Sequence, residues 1–196
     1  DLLSNLAGAG FKCINIGETQ ITGFELSLMG EGKVGDVNIG IIGSYTYVNP
    51  INLNPTEIYG TSYLTGPPPQ NTTVEIPINY NSSSHDTIGN ILKYRHEHLL
   101  KIDLNLEYSK INTGISVRYN SFMKNMDYVF GSPEFNGDVS PNAPFSLDVG
   151  ILDSQERMKN GDLIIDYRVG YKIHENVSIS FIIDNLLNRE YQTRPA

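Results

Sequence analysis

An all-β fold, built as an antiparallel up-and-down sheet of about six long strands, is what this 196-residue sequence predicts. Three features predict it. Apolar and polar residues alternate with a period of two over long stretches, which gives an extended strand one apolar and one polar face. Short turns and long irregular connections follow one another in strict rotation. Only 18% of residues are charged, while 18 Gly and 12 Tyr punctuate a chain without runs of Ala, Leu, Glu and Lys.

The first ten residues, with Gly8 and Gly10, read as the end of a loop. From Phe11 to about Met29 the pattern is extended, with Phe24, Leu26 and Leu28 opposite Glu25 and Ser27, and a bulge near Gly17 or Gly23 accounts for the break in register. The glycine-rich stretch Gly30–Asp36 reads as a turn. A second strand, Val37 to Val48, sets Val37, Ile39, Ile41, Tyr45 and Tyr47 against Asn38, Ser44 and Thr46, with Ile42 the exception on the polar side. Periodicity then vanishes over residues 49–97, apart from an alternation at Thr73–Asn79 that suits one arm of a small hairpin. The third strand, His98 to Tyr108, alternates cleanly. After a turn at Ser109 to Asn112, the fourth runs from Thr113 to about Tyr128, with Ile115, Val117, Tyr119 and Met123 on its apolar face. A second irregular stretch covers 129–160. The last hairpin pairs Leu163, Ile165, Tyr167, Val169, Tyr171 and Ile173 with Val177, Ile179, Phe181 and Ile183 across a turn at His174, Glu175 and Asn176.

The short turns all fall at one end of such a sheet and both long loops at the other. Segregation of this kind marks outer-membrane barrels, with short periplasmic turns and longer extracellular loops. Each strand also reaches the roughly 9–11 residues that a tilted membrane strand needs. Tyr108 and Tyr171 near the short turns, and Tyr45 and Tyr47 near the long loops, suit an interfacial aromatic girdle. A soluble β-sandwich remains the competing architecture, because hydropathy alone does not separate the two.

Composition narrows the function classes. A net charge of -8 argues against nucleic acid as a partner, since phosphate binding needs clustered Lys and Arg. The single cysteine, Cys13, excludes an internal disulfide. No Gly-x-Ser-x-Gly, no paired-carboxylate spacing and no Cys–His pair points to an enzyme, and no cofactor is expected. His96 and His98, two apart on an extended backbone, with His85 and Asp86 upstream, outline a conceivable metal site, but they read as loop and strand-entry residues and no metal is expected.

Four motifs in order resemble a family. Asn15-Ile-Gly followed by Ile21-Thr-Gly-Phe-Glu25, then Gly43-Ser-Tyr-Thr-Tyr47, then Tyr94-Arg95-x-x-His98 with Lys101, and finally Asp184-Asn-Leu-Leu-Asn-Arg-Glu-Tyr191 resemble successive strands of TonB-dependent outer-membrane receptors, of a Bacteroidetes-like kind. Leu187 stands where Phe is commoner in that signature. The resemblance implies a transmembrane barrel of about 22 strands, blocked by an N-terminal plug, of which this chain supplies a C-terminal part without plug or final strand. Taken alone it should form an open sheet. It implies energised uptake of a scarce nutrient of the siderophore-iron, cobalamin or glycan class. Implied partners are outer-membrane lipid, the plug and remaining barrel strands, the TonB energy-transducing complex, and a small-molecule or glycan ligand. A non-transporting outer-membrane barrel acting as adhesin or anchor is the alternative.

On this reading Asp103, Asn105, Glu107, Arg118, Asp166, Arg168 and Lys172 face the lumen, either pairing with the plug and one another or solvating a wet wall. The long loops, 49–97 and 129–160, are where ligand capture is expected. Tyr59, Tyr63 and Tyr80 in the first, and Tyr128, Phe130 and Phe135 in the second, are the exposed aromatic candidates. From 124 to 160 acids outnumber bases, which disfavours a strongly anionic ligand there.

Overall fold

The computed structural model describes residues 17–65, 73–131 and 150–191. Eight strands are described: β1 (Thr19–Val34), β2 (Val37–Asn52), β3 (Gly60–Thr65), β4 (Thr73–Ile78), β5 (His98–Tyr108), β6 (Ile111–Asn120), β7 (Asp162–His174) and β8 (Val177–Ile183). Two short helices, α1 (Tyr128–Gly131) and α2 (Ile151–Met158), and one 3-10 turn at Ile88–Asn90 complete the described elements. Six strands make one antiparallel sheet in the order β1-β2-β5-β6-β7-β8, while β3 and β4 pair separately. The chain divides into two compact units. Of the described residues, one holds most of the sheet, with 22–49, 96–123 and 158–191; the other gathers 17–21, 50–65, 73–95, 124–131 and 150–157.

The sheet is an up-and-down meander joined by two-residue turns at 35–36, 109–110 and 175–176. Gly35 (φ 60°) and Ser109 (φ 52°) supply the left-handed residue that a tight hairpin demands. The expected turn over Gly30–Asp36 is therefore too long: β1 continues through Gly30 and Gly32 to Val34, and only Gly35 and Asp36 turn. Glycine permits a turn without enforcing one, and here the hairpin with β2 keeps the chain extended. No interruption appears in β1 near Gly23, whose missing Cβ would lie 2.0 Å from the Tyr47 carbonyl oxygen. That close approach of backbones is the reason for glycine there. The part of the first strand expected over 11–16 lies outside the described residues. β6 also starts earlier and ends sooner than expected, so Met123 lies beyond it rather than on its apolar face.

Register fixes which residues share a face. Ile39, Leu106 and Thr113 align across β2, β5 and β6, with Val169 and Phe181 completing that row across β7 and β8. Ile41, Leu104, Ile115, Tyr167 and Ile183 form the next. Almost nothing covers this face. Phe181 is 60% exposed, Ile179 61%, Leu26 61% and Leu28 58%; of the described apolar side chains in the sheet strands only Pro50 and Ile164 are buried, and Ile164 lies on the opposite face, paired with Arg118. A soluble sheet of this size would bury such a face, because each large side chain left in water forgoes roughly 1.5–3 kcal/mol.

Aromatic rings close both ends of the apolar face. Tyr108 and Tyr171 flank Ile111 beside the short turns. At the other end Phe24 packs against Tyr45 and Tyr47 at ring-centre distances of 5.8 and 5.7 Å, and the Tyr45 hydroxyl meets His98 Nδ1 at 2.8 Å. His98 and Tyr108 are the two ends of β5. That span is about 33 Å along a strand and about 23–27 Å once tilted by 35–45°, which matches the ≈ 25 Å apolar band of outer-membrane barrels.

Candidate functional site

The polar face carries a charge network built on one missing side chain. Asp103, Asn105, Glu107, Arg118, Asp166, Arg168 and Lys172 all share this face. Arg168 lies in β7 and Asp103 two strands away in β5, yet they form a bidentate pair, Nη2 to Oδ1 at 2.7 Å and Nη1 to Oδ2 at 3.0 Å. The guanidinium crosses β6 over Gly114, where a Cβ would sit 2.6 Å from Nε. Ser116 completes the triad, donating to Asp103 Oδ2 at 2.5 Å and accepting from Arg168 at 3.0 Å. Arg118 pairs with Asp166 at 3.1 Å.

Asp166 has a second task. Its Oδ1 accepts the Asn185 backbone N–H at 2.8 Å, and the Asn185 side chain closes the tail on itself by donating to the Arg189 carbonyl at 2.8 Å and accepting from Arg189 N at 2.9 Å. Asn185 and Asn188 hold left-handed backbone, at φ 51° and 47°, which asparagine tolerates better than most residues. The 184–191 signature is thus a turn that fastens itself to β7.

The second unit centres on two loop segments knotted by polar side chains. Lys93 Nζ donates to Asp127 Oδ1 at 2.6 Å and to the Ser83 carbonyl and hydroxyl at 2.7 and 2.9 Å. Tyr94 donates to Asp127 Oδ2 at 2.7 Å and accepts from Asp127 N at 3.1 Å. The Tyr80 hydroxyl donates to the Ile91 carbonyl at 2.9 Å and accepts from Lys93 N at 2.8 Å. Asn125, 1% exposed, donates to the same carbonyl at 2.7 Å. Burial first, and then the hydrogen bond to the Asp127 carboxylate, hold the Tyr94 phenol well above its ordinary pKa. Burial likewise raises Tyr80, so both stay protonated donors at neutral pH.

A groove of about 970 Å³ opens beside this knot. Tyr59, Tyr128 and Phe130 line it together with Ile76, Ile78, Leu92 and Val129, and Lys93, Tyr94, Arg95 and Asp127 supply its polar side. The groove therefore joins residues of both long loops. Four of the six aromatic candidates, Tyr59, Tyr80, Tyr128 and Phe130, line it. Tyr80, expected as an exposed ring, is 3% exposed and serves as scaffold, because its hydroxyl is needed inside the knot. Tyr63 is 63% exposed on β3, facing away from the strand face that Ser62 and Ile76 present to the groove. Phe135 lies outside the described residues. Nothing in the sequence marks Lys93, Asn125 or Asp127 for this role, and Tyr94 stands out only within the strand-entry motif Tyr94-Arg95-x-x-His98.

His96 and His98 are engaged in strand-end contacts, His96 with the Ser121 carbonyl and His98 with Tyr45. Among the described residues no group of three His, Cys, Asp or Glu is placed to hold a metal ion. No described helix is long and apolar enough to cross a membrane, which says nothing of strands.

An open antiparallel meander with an apolar face bounded by aromatic rings and a charge-paired opposite face is consistent with part of a β-barrel wall. The chain belongs to the TonB dependent receptor-like, beta-barrel family, whose model matches residues 1–186. No curated protein and no solved structure matches the chain.

Proposed function

We propose that this chain is part of the wall and two ligand-capturing extracellular loops of an outer-membrane receptor that imports a scarce nutrient by TonB-driven transport. The uncovered apolar face of the six-stranded sheet carries this reading: in lipid that face needs no protein partner, and remaining strands complete β1 and β8. The polar face then lines the lumen. Asp103, Arg168, Arg118 and Asp166 are already paired with one another, which leaves Asn105, Glu107 and Lys172 for a plug. The loops present the groove to the outside, and siderophore-iron, cobalamin and glycans are the nutrient classes that family membership suggests. No catalytic role is assigned.

The test uses the full-length protein in its own cells. It should fractionate with the outer membrane, migrate as a heat-modifiable barrel, bind the periplasmic domain of TonB, and support nutrient accumulation that a protonophore abolishes. A soluble monomer overturns the membrane reading. Outer-membrane residence without TonB binding or energised uptake leaves the anchor or adhesin in its place.

A further inference from the structure

Resting on the reading of the loop groove as the capture site, we propose that it takes a small amphiphilic anion: an apolar or aromatic body carrying a single acidic group that pairs with Arg95. Three observations carry this.

Most of the polar groups around the groove are spent on each other, the Ser62 and Tyr128 hydroxyls excepted. Tyr59 donates to the Asn79 carbonyl at 2.8 Å and shares a hydrogen bond with Ser83 Oγ at 2.6 Å. Tyr94, Lys93 and Asp127 are closed into the knot described above. A glycan binds through many directional hydrogen bonds, and this lining has few donors or acceptors left to give one.

What remains open is apolar. Tyr128 is 55% exposed, Val129 42% and Ile76 42%, and all three line the groove with Phe130. Such walls reward a body that removes apolar surface from water. The volume, about 970 Å³, is at the upper end of small-molecule sites.

The charges leave one cation over. Lys93 and Asp127 neutralise each other at 2.6 Å. Arg95, exposed and also lining the groove, makes no ion pair or hydrogen bond among the described residues. It follows Tyr94, whose left-handed backbone (φ 59°) is costly for a bulky residue and ties the Tyr94 ring to Asp127 while Arg95 stays at the groove. A guanidinium offers a planar fork that matches a carboxylate or a sulfonate. One uncommitted cation selects one acidic group, and the acidic composition of 124–160 disfavours several.

The experiment measures equilibrium binding to the full-length receptor in lipid nanodiscs, with empty discs subtracted. The probes are 2-naphthoate, its neutral counterpart 2-naphthamide, and maltotriose. Naphthoate should bind at least about tenfold tighter than naphthamide, as expected for one charge-assisted pair, and maltotriose more weakly still. Arg95→Gln should erase the preference by weakening naphthoate alone, while Tyr128→Ala should weaken both aromatic probes alike. If Tyr128→Ala weakens binding but naphthamide or maltotriose binds as well as naphthoate, or Arg95→Gln leaves the preference intact, the anion assignment is wrong and the capture site stands. If neither substitution changes the binding of any probe, the groove is not the capture site, and both readings fall.

Discussion

Gly114→Ala is the perturbation whose outcome the structure defines most closely. The new Cβ would lie 2.6 Å from Arg168 Nε and 2.7 Å from Cζ and Nη2, inside any tolerable contact. The backbone is held on both sides by ladder pairing to Asn105 and Arg168, so the guanidinium must yield. It would lose its fork on Asp103 and the hydrogen bond it donates to Ser116. Both partners are partly solvated, at 36% and 40% side-chain exposure, which confines the ion pair to the surface range of about 0.2–1 kcal/mol. The Ser116 bond adds about 0.5–1 kcal/mol. Against this loss of about 1–2 kcal/mol, alanine regains about 0.5–1 kcal/mol over glycine within a strand. Gly114→Ala should therefore cost the wild-type protein between about 0 and 1.5 kcal/mol. In an Arg168→Met background it should stabilise by about 0.5–1 kcal/mol, giving a coupling of about 1–2 kcal/mol. The assay is a double-mutant cycle on urea unfolding of the full-length barrel in vesicles, followed by cold gel migration. An additive cycle would refute the crossing of Arg168 over Gly114.

Three further outcomes follow from the same geometry. Asp127→Asn removes the partner of Lys93, whose side chain is 14% exposed, and should loosen residues 80–95 by about 1–3 kcal/mol, read as faster amide exchange there while the sheet keeps its protection. Tyr80 and Tyr94 have folded pKa values above the ordinary 10.0, so their contribution is fully present below that pH and is lost as pH rises through the folded values; tyrosinate absorbance should show two late-titrating phenols that disappear in the Tyr80→Phe and Tyr94→Phe variants. On β5, Leu104→Arg should cost about 2–4 kcal/mol in vesicles and the neighbouring Asn105→Arg much less, because only Leu104 faces lipid on this account; equal costs in unfolding titrations would count against the face assignment.

The sheet was legible because its determinants are local. Alternation along His98–Tyr108 alone sets the faces of β5, and the register of β2, β6, β7 and β8 places the remaining apolar rows beside it. Strand ends were less legible, since Gly30 and Gly32 are compatible with turn and strand, and tertiary pairing decided for strand. Helix α2, Ile151–Met158, is hidden within the irregular stretch because eight residues are too few for a helical period to stand out. The knot was invisible for a different reason. Lys93 and Asp127 are 34 residues apart, and nothing local distinguishes them from solvated charges. Burial of Tyr80 is hidden on the same ground: an aromatic in a loop looks exposed until the partners of its hydroxyl are known. Gly114 carries the same lesson, because the reason for that glycine lies on the next strand, in Arg168.

The central claim is that the apolar face of this sheet meets lipid. It is tested most directly by spin labels placed one at a time from position 100 to 107 of β5, in the full-length receptor with Cys13→Ser, reconstituted in vesicles. Collision with dissolved oxygen should rise at positions 100, 102, 104 and 106 and fall at 101, 103, 105 and 107, with no access to a water-soluble nickel relaxant on the first set. Low collision with both reagents at positions 102, 104 and 106 would place that face against protein, and the barrel account would be contradicted.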